Sequence, residues 1–140
     1  MRLVIQRVDE AFTTLNGVIE NRISTGLLIF VAVEDKDTFK EVHKMALKVL
    51  KLRIFNDSNS KMNYSVQDIK GELLIISQFT LLADCLRGNR PSFLKSGDPI
   101  HAKKIYNEFV NYMHSKTKLI KSGQFGSNIK VHSVNSGPAT

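Results

Sequence analysis

The 140-residue chain has no tryptophan, one cysteine and three prolines, and it is short of acid: 13 Asp plus Glu stand against 20 Lys plus Arg, a formal charge of +7. Each shortage excludes something. A lone cysteine, Cys85, rules out an internal disulfide framework and offers nothing to a cysteine-rich zinc site. No apolar run approaches the ~18–20 residues that a membrane-spanning helix needs, so no membrane partner is expected. The opening Met1-Arg2-Leu3-Val4-Ile5-Gln6-Arg7 sets a second Arg inside its short apolar stretch, which is not the pattern of a secretory signal, and the cytoplasm is the expected compartment. Neither G-x-G-x-x-G nor G-x-x-x-x-G-K-[ST] occurs, which argues against a doubly wound nucleotide fold. His43, His101, His114 and His132 lack metal-ligand spacing, and neither metal nor cofactor is expected. The positive excess permits an anionic partner, nucleic acid above all.

What is present suffices for one core. At 42% hydrophobic and 24% charged, with no repeat and no linker, residues 1–140 read as a single domain. Leu3, Ile5 and Arg7 alternate with Val4, Gln6 and Val8, a strand period. Asn16-Gly17 between Ala11–Leu15 and Val18–Ile23 is a hairpin signal, because both residues tolerate positive φ. Leu27–Val33 reads as a buried central strand. Thr38 with Glu41 makes a capping box ahead of a helical stripe that ends at Leu50, and Asp98-Pro99 caps a second helix. Leu52–Phe55 reads as a short strand, Leu73–Leu82 as a long buried one and Ile129–Val134 as the last. The fold class that follows is α/β: a mixed, largely antiparallel sheet forming an open, barrel-like core, with two helices packed outside.

Chemistry can live in three places. Ser77-Gln78-Phe79-Thr80 interrupts the most apolar strand, and alternation sets Ser77 and Phe79 on one face, Gln78 and Thr80 on the other. A buried hydroxyl or amide without a partner costs ~1–3 kcal/mol, so these groups either bond to backbone at a sheet edge or line a cavity. At the end of the sequence, Gly137 lacks a Cβ and Pro138 an N–H, so this peptide either passes close to a ligand or belongs to a disordered tail. The loop Asp84–Phe93 carries Arg87 and Arg90 among Gly and Pro, a basic turn suited to phosphate or a plain solvated loop.

Taken together, the segments resemble the D-aminoacyl-tRNA deacylases. The stretches that carry the resemblance are Met1–Val8, Leu52-Arg53-Ile54-Phe55, Lys61-Met62-Asn63, Gly71–Leu81, Gly88–Phe93, Gly123–Gly126 and Gly137-Pro138-Ala139-Thr140. That family usually carries Val where this chain has Ala139, and it continues a few residues beyond the Thr. The resemblance implies hydrolysis of the ester joining a D-amino acid, or mischarged glycine, to the 3′-terminal adenosine of tRNA. It implies a homodimer in which Gly137-Pro138, in the cis form, enters the other subunit's site as the element that rejects L-amino acids. It makes Ser77, Gln78, Phe79 and Thr80 the pocket strand, with Phe125 its neighbour, and Arg87 and Arg90 candidates for tRNA phosphate. For bond breaking, either Thr80 is a nucleophile, or backbone N–H groups near Phe79 and Thr80 form an oxyanion hole while the ribose 2′-hydroxyl helps to activate water. A non-catalytic RNA-binding module, and an esterase or lyase using Ser77 or Cys85, are the competing readings.

Overall fold

The first strand is longer than alternation predicts. In the computed structural model, which describes residues 1–140, β1 (Arg2–Leu15) is one 14-residue strand with a bulge between Ala11 and Thr13. It turns at Asn16-Gly17, both at positive φ, into β2 (Val18–Ile23), and β3 (Gly26–Ala32) pairs antiparallel with its first half. Helix α1 (Phe39–Lys51) starts at the Thr38–Glu41 capping box, and its basic last turn suits the helix dipole. After the small hairpin β4 (Phe55–Asn56) and β5 (Met62–Tyr64) comes β6 (Glu72–Ser77), parallel to β3. Helix α2 (Pro99–Lys116) then leads to β7 (Ile120–Ser122), parallel to β6, and β8 (Lys130–Asn135) returns antiparallel to β1. Parallel neighbours need long crossovers, and α1 and α2 supply them.

The sheet runs β2-β1-β3-β6-β7 with β8 on the other edge of β1, a nearly closed, barrel-like mixed sheet with two helices outside. Period two sorts its residues into two apolar layers. Leu27, Ile29 and Val31 of β3 and Leu73 and Ile75 of β6 face the helices, where Val42, Val49, Ile105 and Phe109 cover them. Leu28, Leu74 and Ile76 join Val8, Ala11 and Ile23 in the barrel interior. Each fully buried side chain of this size contributes about 1.5–3 kcal/mol, so the two layers hold the sheet against the helices. At Gly26 a side chain on β3 would run into the Glu72 backbone at the start of β6.

Two sequence expectations are corrected. The run Leu73–Leu82 is not one strand: β6 ends at Ser77, and Phe79–Leu82 forms a 3-10 helix. The reason is loss of neighbours, since Val31 opposite Ser77 is the last partner on β3 and Ser122 opposite Ile75 the last on β7. Beyond that point the backbone bonds to itself, Leu81 N–H to Gln78 O and Ala83 N–H to Thr80 O. Ser77 to Thr80 therefore do not alternate across a sheet, and Phe79 is 56% exposed. The predicted strand Leu52–Phe55 likewise shrinks to Phe55–Asn56.

Candidate active site

The break in β6 opens a cavity of about 590 Å³. It lies at the carboxyl ends of the parallel strands β3 and β6, where side chains of an α/β sheet lose cover and ligands commonly bind. Val31, Val33, Ile76 and Ser77 form the strand side. Phe93, Ser96, Pro99 and Ala102 form the wall toward α2, and Phe125–Ile129 close the far side. Gln78 and Phe79 reach the cavity, whereas Thr80 is not among the residues lining it. Ser77, Gln78, Ser96, Ser127 and Asn128 supply polar side chains beside the Tyr106 phenol, and no carboxylate, imidazole, ammonium, guanidinium or thiol lines the space.

Each wall is fixed by hydrogen bonds that the local sequence allows. Gln78 N–H donates to Val31 O at 2.8 Å, and Arg2 Nη1 donates to Leu81 O at 2.6 Å, which pins the 3-10 helix at both ends. Its first turn leaves the N–H groups of Phe79 and Thr80 without an acceptor inside the helix. The Thr80 hydroxyl accepts from Gln78 Nε2 at 2.5 Å. The Phe93 ring meets Phe79 edge-on, with centroids 5.1 Å apart.

Tyr106 is the residue that sequence patterning missed. It sits in the apolar stripe of α2, where an aromatic reads as plain core. Its hydroxyl lies 2.9 Å from Ile75 O and 3.1 Å from Gly123 O, so it joins β6 to the turn that carries Phe125. Burial pushes its phenol well above the ordinary tyrosine value, which keeps it a hydrogen-bond donor. Phe125 leans on the Tyr106 ring with centroids 5.6 Å apart and lines the cavity.

The final tetrad is ordered. Arg7, 9% exposed, donates Nε to Ser136 O at 3.0 Å and Nη1 to Ile54 O at 2.6 Å, while its backbone N–H bonds Ala139 O at 3.0 Å. Asn135 accepts Ala139 N–H through Oδ1 and donates Nδ2 to Thr140 Oγ1, both at 2.8 Å. Gly137 sits at φ +121°, and a Cβ there would strike the Arg7 guanidinium, so glycine is required by both conformation and space. The Gly137-Pro138 peptide is cis. Both residues are exposed, and neither lines the cavity of their own chain.

The remaining candidates lie apart. Arg87 and Arg90 are exposed on a loop closed by the Asp84–Ser92 backbone pair, N–H to O at 2.8 and 2.9 Å. Cys85 is exposed on the same loop. His43 Nε2 lies 2.8 Å from Glu108, and its ring stacks on Tyr112 at 4.0 Å, which ties α1 to α2.

The family model described as D-Tyr-tRNA(Tyr) deacylase matches residues 4–140. A D-aminoacyl-tRNA deacylase of Thermosipho africanus is 46% identical over all of this chain and 94% of its own length, and one from Syntrophus aciditrophicus is 45% identical over the same shares. A solved structure described as c-Myc DNA Unwinding Element Binding Protein superposes with a TM-score of 0.94 at 37% identity, covering 99% of this chain and 95% of that one. A probable eukaryotic D-amino acid tRNA deacylase, 15% identical with a TM-score of 0.83 over 97% and 94% of the two chains, shares the fold. The chain thus belongs to the D-aminoacyl-tRNA deacylases, a family of hydrolases acting on the ester bond of aminoacyl-tRNA.

Proposed function

We propose that the protein hydrolyses the ester between a D-amino acid, or glycine, and the 3′-terminal adenosine of tRNA, releasing free amino acid and tRNA. It works as a cytoplasmic homodimer, in which the Gly137-Pro138 main chain of one copy enters the cavity of the other and excludes L-amino acids. The observation that carries this reading is the chemistry of the cavity, whose lining has hydroxyls, amides and backbone but no acid or base to drive a difficult bond cleavage. An aminoacyl ester is already activated, so placement of the carbonyl and stabilisation of its developing oxyanion are enough.

The residues divide the work as follows. The N–H of Phe79, which reaches the cavity, receives the carbonyl oxygen with that of Thr80 next to it in the chain, and the 2′-hydroxyl of the terminal ribose helps to activate water. Thr80 is not the nucleophile, since its hydroxyl is engaged by Gln78 and no imidazole, carboxylate or amine bonds to it. Ser77, Gln78 and Phe125 shape the pocket, and Arg87 and Arg90 meet phosphate. Arg7 holds Gly137 rigidly at the surface, which supports a role outside its own chain's cavity. Backbone that cannot relax collides with an L side chain and leaves a D side chain or the hydrogen of glycine free. Each tenfold of discrimination takes ~1.4 kcal/mol, well within the reach of such a clash.

Incubation with D-Tyr-tRNA, L-Tyr-tRNA and Gly-tRNA side by side is the test. Release from the first and third but not the second is expected. Equal release of D- and L-tyrosine would overturn the chiral filter, and no release from any would overturn the hydrolytic reading.

A further inference from the structure

Helix α1 turns Val42, Ala46, Val49 and Leu50 into the core. At about 100° per residue, Lys40, Lys44, Lys48 and Lys51 fall within an arc of about 80° on the opposite side. All four are exposed, and none belongs to any of the ion pairs of the chain. The one acidic residue of the helix, Glu41, is occupied at the cap by Thr38. Like charges three and four residues apart weaken a helix, and the dipole favours only Lys48 and Lys51 of the last turn, so the fold does not call for the whole row. A face kept merely soluble carries both signs, as α2 does with Lys103, Lys104 and Glu108.

Position gives the stripe its meaning. Lys40 and Thr38 share a surface depression of about 410 Å³ with His101 and Lys104 of α2. Pro99 and Ala102, from the same first turns of α2, line the main cavity. The lysine row therefore begins about one helix width, roughly 10 Å, from the cavity and leads away along α1 for about 16 Å. Lys40, Lys44 and Lys48 repeat every ~6 Å and Lys51 follows ~4.5 Å on, a spacing that long, flexible lysine arms can match to successive phosphates along one nucleic-acid strand. Lysine offers point charges that hold a backbone without reading sequence, as a substrate class with many sequences requires. A membrane surface fits less well, because a helix lying on lipid buries its apolar face there and α1 has committed that face to the core.

We propose that Lys40, Lys44, Lys48 and Lys51, with Lys104 at the near end, form the surface that holds the sugar–phosphate backbone of the tRNA stem adjoining the 3′ end lodged in the cavity. The proposal rests on the aminoacyl-tRNA reading above.

The test compares D-Tyr-tRNA with D-tyrosyl-adenosine, which retains the ester and the terminal nucleoside but no stem. With Lys40→Gln, Lys44→Gln and Lys48→Gln combined, KM for D-Tyr-tRNA at about 0.15 M salt should rise roughly 10- to 100-fold. The slope of log KM against log salt should fall by ~2–3. Turnover of D-tyrosyl-adenosine and the melting temperature should stay at wild-type values, and the three Lys→Arg changes should restore KM. A control of equal charge, Lys61→Gln, Lys118→Gln and Lys130→Gln, should leave KM within ~3-fold of wild type. Wild-type KM and salt slope in the α1 variant would overturn the proposal, as would an equal loss in the control. So would loss of binding to phosphatidylserine vesicles with KM for tRNA unchanged. Failure of the wild-type enzyme on both substrates would instead overturn the hydrolytic reading beneath it.

Discussion

The cavity beside Ser77–Phe79 and the clamp around Arg7 are built from opposite materials. The cavity is neutral, walled by aromatic and aliphatic side chains with a few hydroxyls and amides, and fixed by hydrogen bonds to backbone carbonyls from the Gln78 N–H and the Arg2 guanidinium. The clamp is a nearly buried guanidinium that gathers carbonyl oxygens from Ile54 and Ser136 around an exposed Gly-Pro peptide. A neutral site keeps its donors free for the charge that develops on a reacting carbonyl. A charged clamp holds a short peptide that has no core of its own. Reactivity and rigidity are thus built by different regions, and the clamp bears on the reaction only through the tip it holds.

Arg7→Ala should show the largest effect. It leaves the half-buried carbonyls of Ile54 and Ser136 without their partner and frees the tetrad, so stability should fall by roughly 1–3 kcal/mol in urea unfolding and D-Tyr-tRNA hydrolysis by ~10²-fold or more. Gly137→Ala tests the tip itself, since the residue is exposed but an added Cβ would press on the Arg7 guanidinium and strain a positive φ. Hydrolysis should drop by about 10²-fold, while the melting temperature should fall by less than it does in Arg7→Ala. Loss of activity in proportion to loss of fold would erase the division between the two regions.

Thr80→Ala probes the neutral side. It removes a hydroxyl bonded only to Gln78, and kcat for D-Tyr-tRNA should fall less than tenfold, against the ~10³-fold or more of a missing nucleophile. Smallest is the response to acid. Asp57 is held below the usual carboxylate range by Asn63, Asp68 by Ser65, and Asp84 by the Leu86 N–H and Lys95. A carboxylate with a lowered folded value stabilises the protein above its unfolded value near 4, and that contribution disappears as pH falls further. Thermal melts should therefore decline mainly below about pH 4. Hydrolysis should show no inflection between about pH 5.5 and 8, since no imidazole or carboxylate lines the cavity.

Much of this was legible in the residues. Thr38 with Glu41 and Asp98 with Pro99 start helices where they stand, and Asn16-Gly17 makes the hairpin, because caps and turns are decided within a few residues. The disturbance at Ser77–Thr80 was visible as polar groups inside an apolar run. Its form was not, since the strand ends only where β3 and β7 cease to accompany it. Nothing local marks Tyr106, whose hydroxyl lies between two carbonyls from distant segments. The tail offered even less, because Arg7 lies some 130 positions away along the chain and its bonds to Ser136 and Ala139 have no local trace.

By itself the sequence determined the two-layer alternation, the helix starts, the positive charge and the poverty of acid–base chemistry, all of which follow from side-chain type and short-range periodicity. Tertiary structure alone decided that the polar break borders a cavity, that the glycine-proline end is clamped and kept out of its own cavity, and that the lysine row of α1 stays unpaired and starts across the first turns of α2 from that cavity. Those outcomes depend on which distant segments meet, a matter of sheet register and helix docking that no local window of residues contains.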